Sequence, residues 1–415
     1  MTLALERLAI GAWLTPAMMT FAAVTMLGGT IIALGLLILT ANGTVDQLGR
    51  PIGTDFSSFW TAGRMVLEGH AAQTYDWAAH YAVQRRTHGI EMFFPWSYPP
   101  VFLLVAAAVA SVPYLPALFA WQAVTLLADL AIFWMILPNR RALLIALGFP
   151  AILVCWGHGQ TGFLSAALLA GGVLALPLHE VCAGILFGLL AYKPQLGSLI
   201  PFVLVAGGHW RAFAAAAATV LATVGLTLAL WGWPVWAAFF DSMTLTRTIV
   251  LETGDTGFEK FQSAFAWLRL WGTPLGVAYG VQALVGLGSI AACIWLWRSS
   301  ADFRLKGAAL LTGALLSSPY VLDYDLVVFG MALALLVAHG LDRGFYRWEK
   351  TLLAFGWFVP VCARTIAATA HLPVGFFVIA AIFALIMVRA WYARAEKQDV
   401  DLRSEPARLG LLANR

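Results

Sequence analysis

Long, unbroken runs of apolar residues constrain the fold of this chain more than any other feature. The first run extends from about Leu8 to Thr40 and contains no charged residue. It exceeds the roughly 20 residues that a transmembrane helix needs. Only 11% of the 415 residues are charged, so a soluble core would not bury this much apolar surface. The runs do not alternate with polar residues, so they predict helices rather than barrel strands. The chain is predicted to be an all-α polytopic membrane protein.

Twelve segments are predicted as membrane-embedded helices, several of them short and joined by Gly and Pro as in broken or tilted elements. They are residues 8–40, 115–137, 142–156, 161–177, 181–192, 197–207, 211–231, 273–297, 306–318, 324–340, 351–369 and 374–392. Residues 100–112 would rise only about 20 Å as a helix, too little for a core of about 30 Å. That segment is therefore predicted to be re-entrant or interfacial, which sets the side on which each later loop lies.

The distribution of positive charge predicts the orientation. With residues 100–112 not counted as a span, most of the 25 Lys and Arg residues fall on one side. The positive-inside rule makes that side cytoplasmic. We therefore predict a multi-pass protein of the cytoplasmic (inner) membrane with both termini cytoplasmic. Residues 1–395 form a single transmembrane domain with outer loops at about 41–114 and 232–272. Residues 396–415 form a disordered cytoplasmic tail.

Two classes of partner are not expected. No basic stripe with interleaved aromatic residues is present, which argues against a nucleic-acid partner. The four cysteines lie inside apolar runs, and no group of acids has metal-ligand spacing. We therefore predict no cofactor and no obligatory divalent metal ion.

The first outer loop contains the strongest local pattern, which begins at Asp55. A carboxylate at the membrane boundary, followed by an amphipathic helix that includes Trp60, suits a general base that activates a hydroxyl group. The alternative is that Asp55 only caps the helix that begins at Phe56. The loop ends at Tyr98, before two prolines that stop one helix and orient the next.

Three further outer turns are unusually polar for connections between apolar runs. The first contains His158 and Gln160, which are suited to donate to sugar hydroxyls or phosphate oxygens. The second contains Lys193, a point charge for a phosphate, and is followed by a third with Asp323 and Asp325. The alternative for Lys193 is a structural ion pair with one of these two acids.

Arginines at the outer face are further candidates. Arg364, near the outer end of its span, either reaches the interface or meets an anionic group. Arg247 lies in the second outer loop, which is predicted to be a lid or a surface helix. Asp129 lies well inside an apolar span and has no predicted function.

The pattern resembles glycosyltransferase family 87, enzymes of the GT-C type that use polyprenyl-phosphate sugars and include mannosyltransferases. The resemblance rests on motifs in order from about residue 53 to 326. These are Asp55-Phe56 with Trp60, Ala62-Gly63, Leu67, Gly69 and Tyr75-Asp76; Tyr98-Pro99-Pro100; Gly159-Gln160; Lys193-Pro194-Gln195; and Ser318-Pro319-Tyr320 with Tyr324-Asp325.

The resemblance implies a GT-C fold with juxtamembrane helices in the first outer loop and an active site on the periplasmic or exterior side. It implies transfer of a hexose, typically mannose, from polyprenyl phosphate to a lipid or glycan acceptor, with inversion and with Asp55 as the base. The expected donor and phosphate contacts are Lys193, Gln195, His158, Gln160, Arg364 and Arg247. The expected sugar or acceptor contacts are Tyr98, Tyr320, Asp323, Asp325 and Trp60.

Two other classes of function fit parts of the pattern. A transporter or flippase for a lipid or polar solute also has broken helices, although its site would lie near the bilayer midplane. A non-catalytic envelope scaffold would leave Asp55 as a helix cap only.

Overall fold

The computed structural model describes residues 3–412, with side chains as far as Arg394. Helices form 77% of it, and no β-strand occurs among these residues. This confirms the all-α prediction. The last helix continues as backbone to Leu412. The predicted disordered tail, residues 396–415, lies beyond the described side chains and stays a prediction.

Twenty-one α-helices follow one another along the described residues. The first eleven are α1 (Leu3–Ala9), α2 (Pro16–Leu39), α3 (Phe56–Leu67), α4 (Trp77–His88), α5 (Leu103–Ala110), α6 (Tyr114–Ile136), α7 (Arg140–Leu147), α8 (Ala151–His158), α9 (Gly162–Ala175), α10 (Glu180–Leu189) and α11 (Pro194–Gly197). The others are α12 (Ile200–Gly207), α13 (Trp210–Trp231), α14 (Trp233–Thr246), α15 (Ala264–Leu270), α16 (Leu275–Trp297), α17 (Phe303–Ser317), α18 (Leu326–Arg343), α19 (Glu349–Phe358), α20 (Ala363–Ala370) and α21 (Val374–Leu412).

Six helices are long and apolar enough to cross a membrane: Pro16–Leu39, Tyr114–Ile136, Trp210–Trp231, Leu275–Trp297, Asp323–Arg343 and Val374–Arg394. Two bent pairs, α7 with α8 and α19 with α20, raise the number to eight if each pair is one span. The chain is thus a multi-pass membrane protein, but the predicted count of twelve is not confirmed. Each of the twelve predicted segments does coincide with a helix or helix pair. Four of these, including α9 and α17, are shorter than a span.

Burial separates central helices from peripheral ones. In the spanning window that contains α18, 83% of the residues are buried, against 6% for α2 and for α13. Large apolar side chains such as Ile31, Leu36 and Leu221 are exposed on these two helices. Such surfaces are stable in contact with lipid chains, whereas in water they would form an extended apolar patch. The centre of the bundle therefore consists of α18 with α9 and α17, which pack against it.

The segment predicted as the first outer loop, residues 41–114, packs against the bundle through its own helices. Helix α3 lies against α5, and a side chain at Gly63 would come within 2.0 Å of a carbonyl oxygen of Ala106. A glycine at this position therefore allows the close approach of the two helices. The predicted short element, residues 100–112, contains a 3₁₀ turn followed by α5, whose eight residues are too few to span a membrane.

The second outer loop contains α14, a π-helix over Arg247–Glu252, a 3₁₀ turn and α15. Its aromatic side chains reach the first loop, since the ring of Phe239 lies 5.6 Å from that of Tyr75. An isolated antiparallel bridge joins Phe261 to Leu322, next to the turn with Asp323. The two outer loops and the 322–325 turn are thus connected by direct contacts.

Candidate active site

The beginning of α3 and the end of α8 meet at one point, and this contact forms the centre of the site. The backbone N–H of Asp55 donates to the carbonyl oxygen of His158, at 3.1 Å. Helix α8 ends at His158 and is followed by Gly159, whose φ of 65° suits a glycine that follows a helix. A side chain at this position would lie 2.5 Å from Cβ of Phe56. The glycine therefore allows the contact and turns the chain so that Gln160 follows directly.

The side chain of Asp55 does not cap its helix. It stands at the N-cap position of α3 but accepts no hydrogen bond from the backbone of that helix. Instead, its Oδ2 atom accepts a hydrogen bond of 2.8 Å from Nε2 of Gln160. The side chain is 28% exposed, and Nδ1 of His158 lies 3.9 Å from Oδ2. The carboxylate is therefore partly accessible, and it is held by Gln160, which follows α8, rather than by the backbone of its own helix. This disfavours the alternative that Asp55 only caps α3.

Two side chains beside this carboxylate, those of Gln160 and His158, are held in place by hydrogen bonds to other residues. The hydroxyl group of Tyr98 donates to Oε1 of Gln160 at 3.0 Å. Burial raises the pKa of Tyr98 well above its usual value, so the phenol keeps its proton and remains a donor. Nδ1 of His158 lies 2.7 Å from the hydroxyl oxygen of Thr54. The residues that surround Asp55 are thus held by hydrogen bonds of their own.

Lys193 and Asp325 form a fully buried ion pair next to this group. Their side chains are 3% and 0% exposed, and Nζ of Lys193 contacts Oδ1 of Asp325. The other carboxylate oxygen accepts from the backbone N–H of Leu322 at 3.2 Å. Pro194 keeps Lys193 out of the helical conformation, and the backbone of Lys193 has a φ of −133° and a ψ of 66°. The geometry supports the structural ion pair, and Lys193 has no free surface for a phosphate.

A second ion pair is more open. Nε of Arg364 donates to Oδ2 of Asp323 at 2.8 Å. The arginine side chain is 41% exposed and the aspartate 4%. The Oδ1 atom of Asp323 is buried and has no hydrogen-bond partner within the part of the chain that the structure describes. Arg364 therefore keeps part of its side chain accessible while its charge is balanced by a buried acid.

Tyr324 connects the two halves of this polar group. Its ring lies 6.4 Å from that of His158 and 5.0 Å from Nζ of Lys193. Asp55 and Asp325 are both close enough to interact electrostatically with its hydroxyl group. The structure thus brings together residues from α3, α8, the turn before α11, the turn before α18 and α20. We call this set the Asp55 site: Asp55, Tyr98, His158, Gln160, Lys193, Asp323, Tyr324, Asp325 and Arg364.

Four predicted site residues lie outside it. Nε1 of Trp60 donates to the carbonyl oxygen of Val112, which ties α3 to the end of α5. The side chain of Gln195 has no hydrogen bond among the described residues. Arg247 pairs with Glu252 at 3.3 Å, and Tyr320 lies near the same acid.

The sequence also contained signals that the predicted site did not use. Tyr324 belongs to the Tyr324-Asp325 motif, yet only the acid was chosen as a site residue. Thr161 follows Gln160 directly, and its backbone N–H donates to Oε1 of that glutamine at 3.0 Å. Asp129 stays without an assigned role, and its Oδ1 atom has no partner among the described residues.

A helical membrane protein in which acids, a histidine and paired cations from distant segments converge at helix ends has the features of a multi-pass membrane enzyme. The chain belongs to glycosyltransferase family 87, whose family model matches residues 96–319, just over half of the chain. The match includes His158, Gln160 and Lys193, whereas Asp55 precedes it. No curated protein and no solved structure matches the chain. Family membership makes the protein a membrane glycosyltransferase that acts on a sugar donor and an acceptor, which disfavours the transporter and scaffold alternatives.

Proposed function

We propose that the protein transfers a hexose, mannose in the first instance, from a polyprenyl-phosphate donor to a lipid or glycan hydroxyl group, with inversion and with Asp55 as general base. The observation that carries this proposal is the combination of contact and exposure at the Asp55 side chain. One carboxylate oxygen is held by Gln160, and the carboxylate is 28% exposed. A partly accessible acceptor-only group beside bound substrate is suited to remove a hydroxyl proton.

The proposed reaction balances as a single displacement. Asp55 takes the proton of the acceptor hydroxyl group as that oxygen forms a bond to the anomeric carbon. The bond between this carbon and the phosphate oxygen breaks, and its electron pair leaves with polyprenyl phosphate. Because the attack comes from the side opposite the leaving group, the anomeric configuration inverts. The phosphate gains negative charge in this step and needs cationic stabilisation.

Arg364 is the best-supported contact for that charge. It combines a side chain that is 41% exposed with an orienting bond to Asp323, and guanidinium groups bind phosphate oxygens in a defined geometry. His158 is the second proposed phosphate contact. Lys193, by contrast, is engaged with the buried Asp325, so we assign it to holding the site together.

The acceptor is proposed to approach along the second outer loop. Arg247, Glu252, Tyr279 and Tyr320 form a half-exposed polar group there, with the hydroxyl of Tyr279 donating to Glu252 at 2.9 Å. The bridge between Phe261 and Leu322 connects this group to the turn with Asp323. Orientation of the site toward the periplasm or exterior, in the cytoplasmic membrane, follows from the bias of positive charge.

The proposal is tested by offering purified protein in nanodiscs several radiolabelled polyprenyl-phosphate sugars with a mixed lipid and glycan acceptor pool. We expect label from the mannosyl donor to move covalently onto an acceptor, with an anomeric configuration opposite to that of the donor. Transfer only from nucleotide sugars would contradict the proposed donor. Retention of configuration would contradict a single displacement with Asp55 as base.

A further inference from the structure

The side-chain amide of Gln160 has only one orientation that satisfies its surroundings. The residue is 5% exposed. On one side of the amide stand two donors, the hydroxyl group of Tyr98 at 3.0 Å and the backbone N–H of Thr161 at 3.0 Å. On the other side stands the Oδ2 atom of Asp55, at 2.8 Å. The two donors require the amide oxygen, so the amide nitrogen must face the carboxylate.

This orientation determines which oxygen of the Asp55 carboxylate is already engaged in a hydrogen bond. An N–H that points at Oδ2 stabilises the ionised carboxylate and opposes a proton on that oxygen. A glutamine side chain does not titrate, so it donates in the same way at every working pH. His158 does not make a hydrogen bond to this oxygen, since its Nδ1 lies 3.9 Å from Oδ2 and 2.7 Å from the hydroxyl oxygen of Thr54.

We infer that Gln160 is a positioning residue that holds Asp55 through Oδ2 and leaves Oδ1 as the atom that accepts the proton. The inference rests on the proposed function, because it concerns the base of that reaction. It reassigns Gln160 from the donor phosphate to the base, since its carbonyl oxygen is engaged twice and one N–H is engaged by Asp55. Tyr98 acts one step further away, by holding the amide in its orientation.

The titratable groups that face Asp55 come from four parts of the fold. They are His158 at the end of α8, Tyr98 before α5, Tyr114 at the start of α6 and Tyr324 before α18. None of the three phenols donates to the carboxylate in the structure. Gln160 is thus the one side chain among the described residues that donates a hydrogen bond to Asp55.

The test compares two substitutions at Gln160 with a matched control. Q160M keeps the length of the side chain but removes the donated bond. We expect a fall in kcat of about tenfold, since the carboxylate is no longer held in one orientation toward the acceptor hydroxyl group, with donor KM unchanged.

Q160E is nearly isosteric and keeps its bonds from Tyr98 and Thr161. Its carboxyl group donates to Asp55 only when protonated, and two ionised carboxylates would repel each other. We therefore expect Q160E to be active at acidic pH and to lose activity as the pH rises, which a loss of stability alone would not produce. The control is Q84M, since Gln84 is equally buried and bonds twice to the backbone of Phe94, far from Asp55 in the hydrogen-bond network.

The outcomes separate the inference from the proposed function. If wild-type protein transfers sugar, but Q160M keeps the wild-type kcat and Q160E keeps the wild-type pH profile, with changes only in donor KM or stability, the inference is wrong and the proposed function stands. If wild-type protein transfers no sugar from any polyprenyl-phosphate donor, the proposed function fails and the inference fails with it. A fall in kcat in Q160M, together with loss of Q160E activity as the pH rises and with neither change in Q84M, supports the inference.

Discussion

Replacing Lys193 with methionine separates a structural role of this residue from a role in binding phosphate. The side chains of Lys193 and Asp325 are 3% and 0% exposed, so removal of the cation leaves a carboxylate buried without its counter-ion. Such a change costs about 3–5 kcal/mol, whereas replacing both partners with apolar residues of similar volume is often neutral or stabilising. We therefore expect K193M to lose about 3–5 kcal/mol of unfolding free energy, and the K193M/D325L double variant to recover most of it.

The matched control is the other fully buried ion pair, Arg389 with Glu349, whose side chains are 3% and 0% exposed. It has the same burial but no contact with the Asp55 site. Unfolding free energies are measured by reversible denaturation in mixed detergent, and donor KM is measured on the fraction that stays folded. We expect R389M to lose a similar amount of stability. Donor KM should stay within about threefold of the wild-type value for all of these variants, because none of them removes a donor contact and a tenfold loss of affinity would require about 1.4 kcal/mol.

A different pattern would refute this reasoning. If K193M lost less than about 1 kcal/mol, far below the cost of an uncompensated buried charge, the pair would not be structural. If, in addition, donor KM rose tenfold or more in K193M but not in R389M, Lys193 would be a phosphate contact, and the assignment of that role to Arg364 would have to be revised.

Three further predictions follow from the fold and the site. Gly63→Val should destabilise the protein by about 1–3 kcal/mol or more, since Cβ would lie 2.0 Å from a backbone carbonyl of α5. The control is Gly28→Ala on α2, where an added side chain would meet open space, and its thermal unfolding should be unchanged. An equal loss of stability in both variants would refute the close packing of α3 against α5. Arg364→Met should raise donor KM about tenfold through a lost charged hydrogen bond; unchanged KM would restrict Arg364 to pairing with Asp323. Burial lowers the pKa of His80 from 6.5 to about 3, so the unfolded chain binds a proton that the folded protein does not. Stability should therefore fall as the pH drops from 6.5 towards 3, and His80→Leu should flatten this dependence in pH-resolved unfolding; an unaltered slope would count against the buried neutral histidine.

The helical elements could be predicted from the sequence because their signal is local. The apolar runs, with the Gly and Pro residues between them, predicted twelve segments. Each of these coincides with a helix or helix pair in the structure. The number of spans could not be predicted in the same way. Pro150 and Pro360 lie in the two bent pairs, where the axes turn by 55° and 74°, and composition does not reveal whether such a bend spans or re-enters.

The site could be predicted in its residues but not in its pairings. Lys193 had two candidate partners, Asp323 and Asp325. The 3₁₀ turn over these residues directs Asp325 to Lys193 and Asp323 to Arg364. The bond between Gln160 and Asp55 joins residues 105 positions apart, which no spacing rule predicts. For the same reason Gln160 was predicted as a donor contact, although its amide faces the base.

The most direct test of the proposed mechanism is sugar transfer by D55N, measured as kcat with a labelled polyprenyl-phosphate donor beside wild-type protein in the same nanodiscs. Asparagine has the shape of aspartate but does not take up the proton, so we expect kcat to fall by about 10²–10⁴. Donor binding and thermal unfolding should stay close to those of the wild type. Transfer by a folded D55N protein within threefold of the wild-type rate would contradict the assignment of Asp55 as the general base.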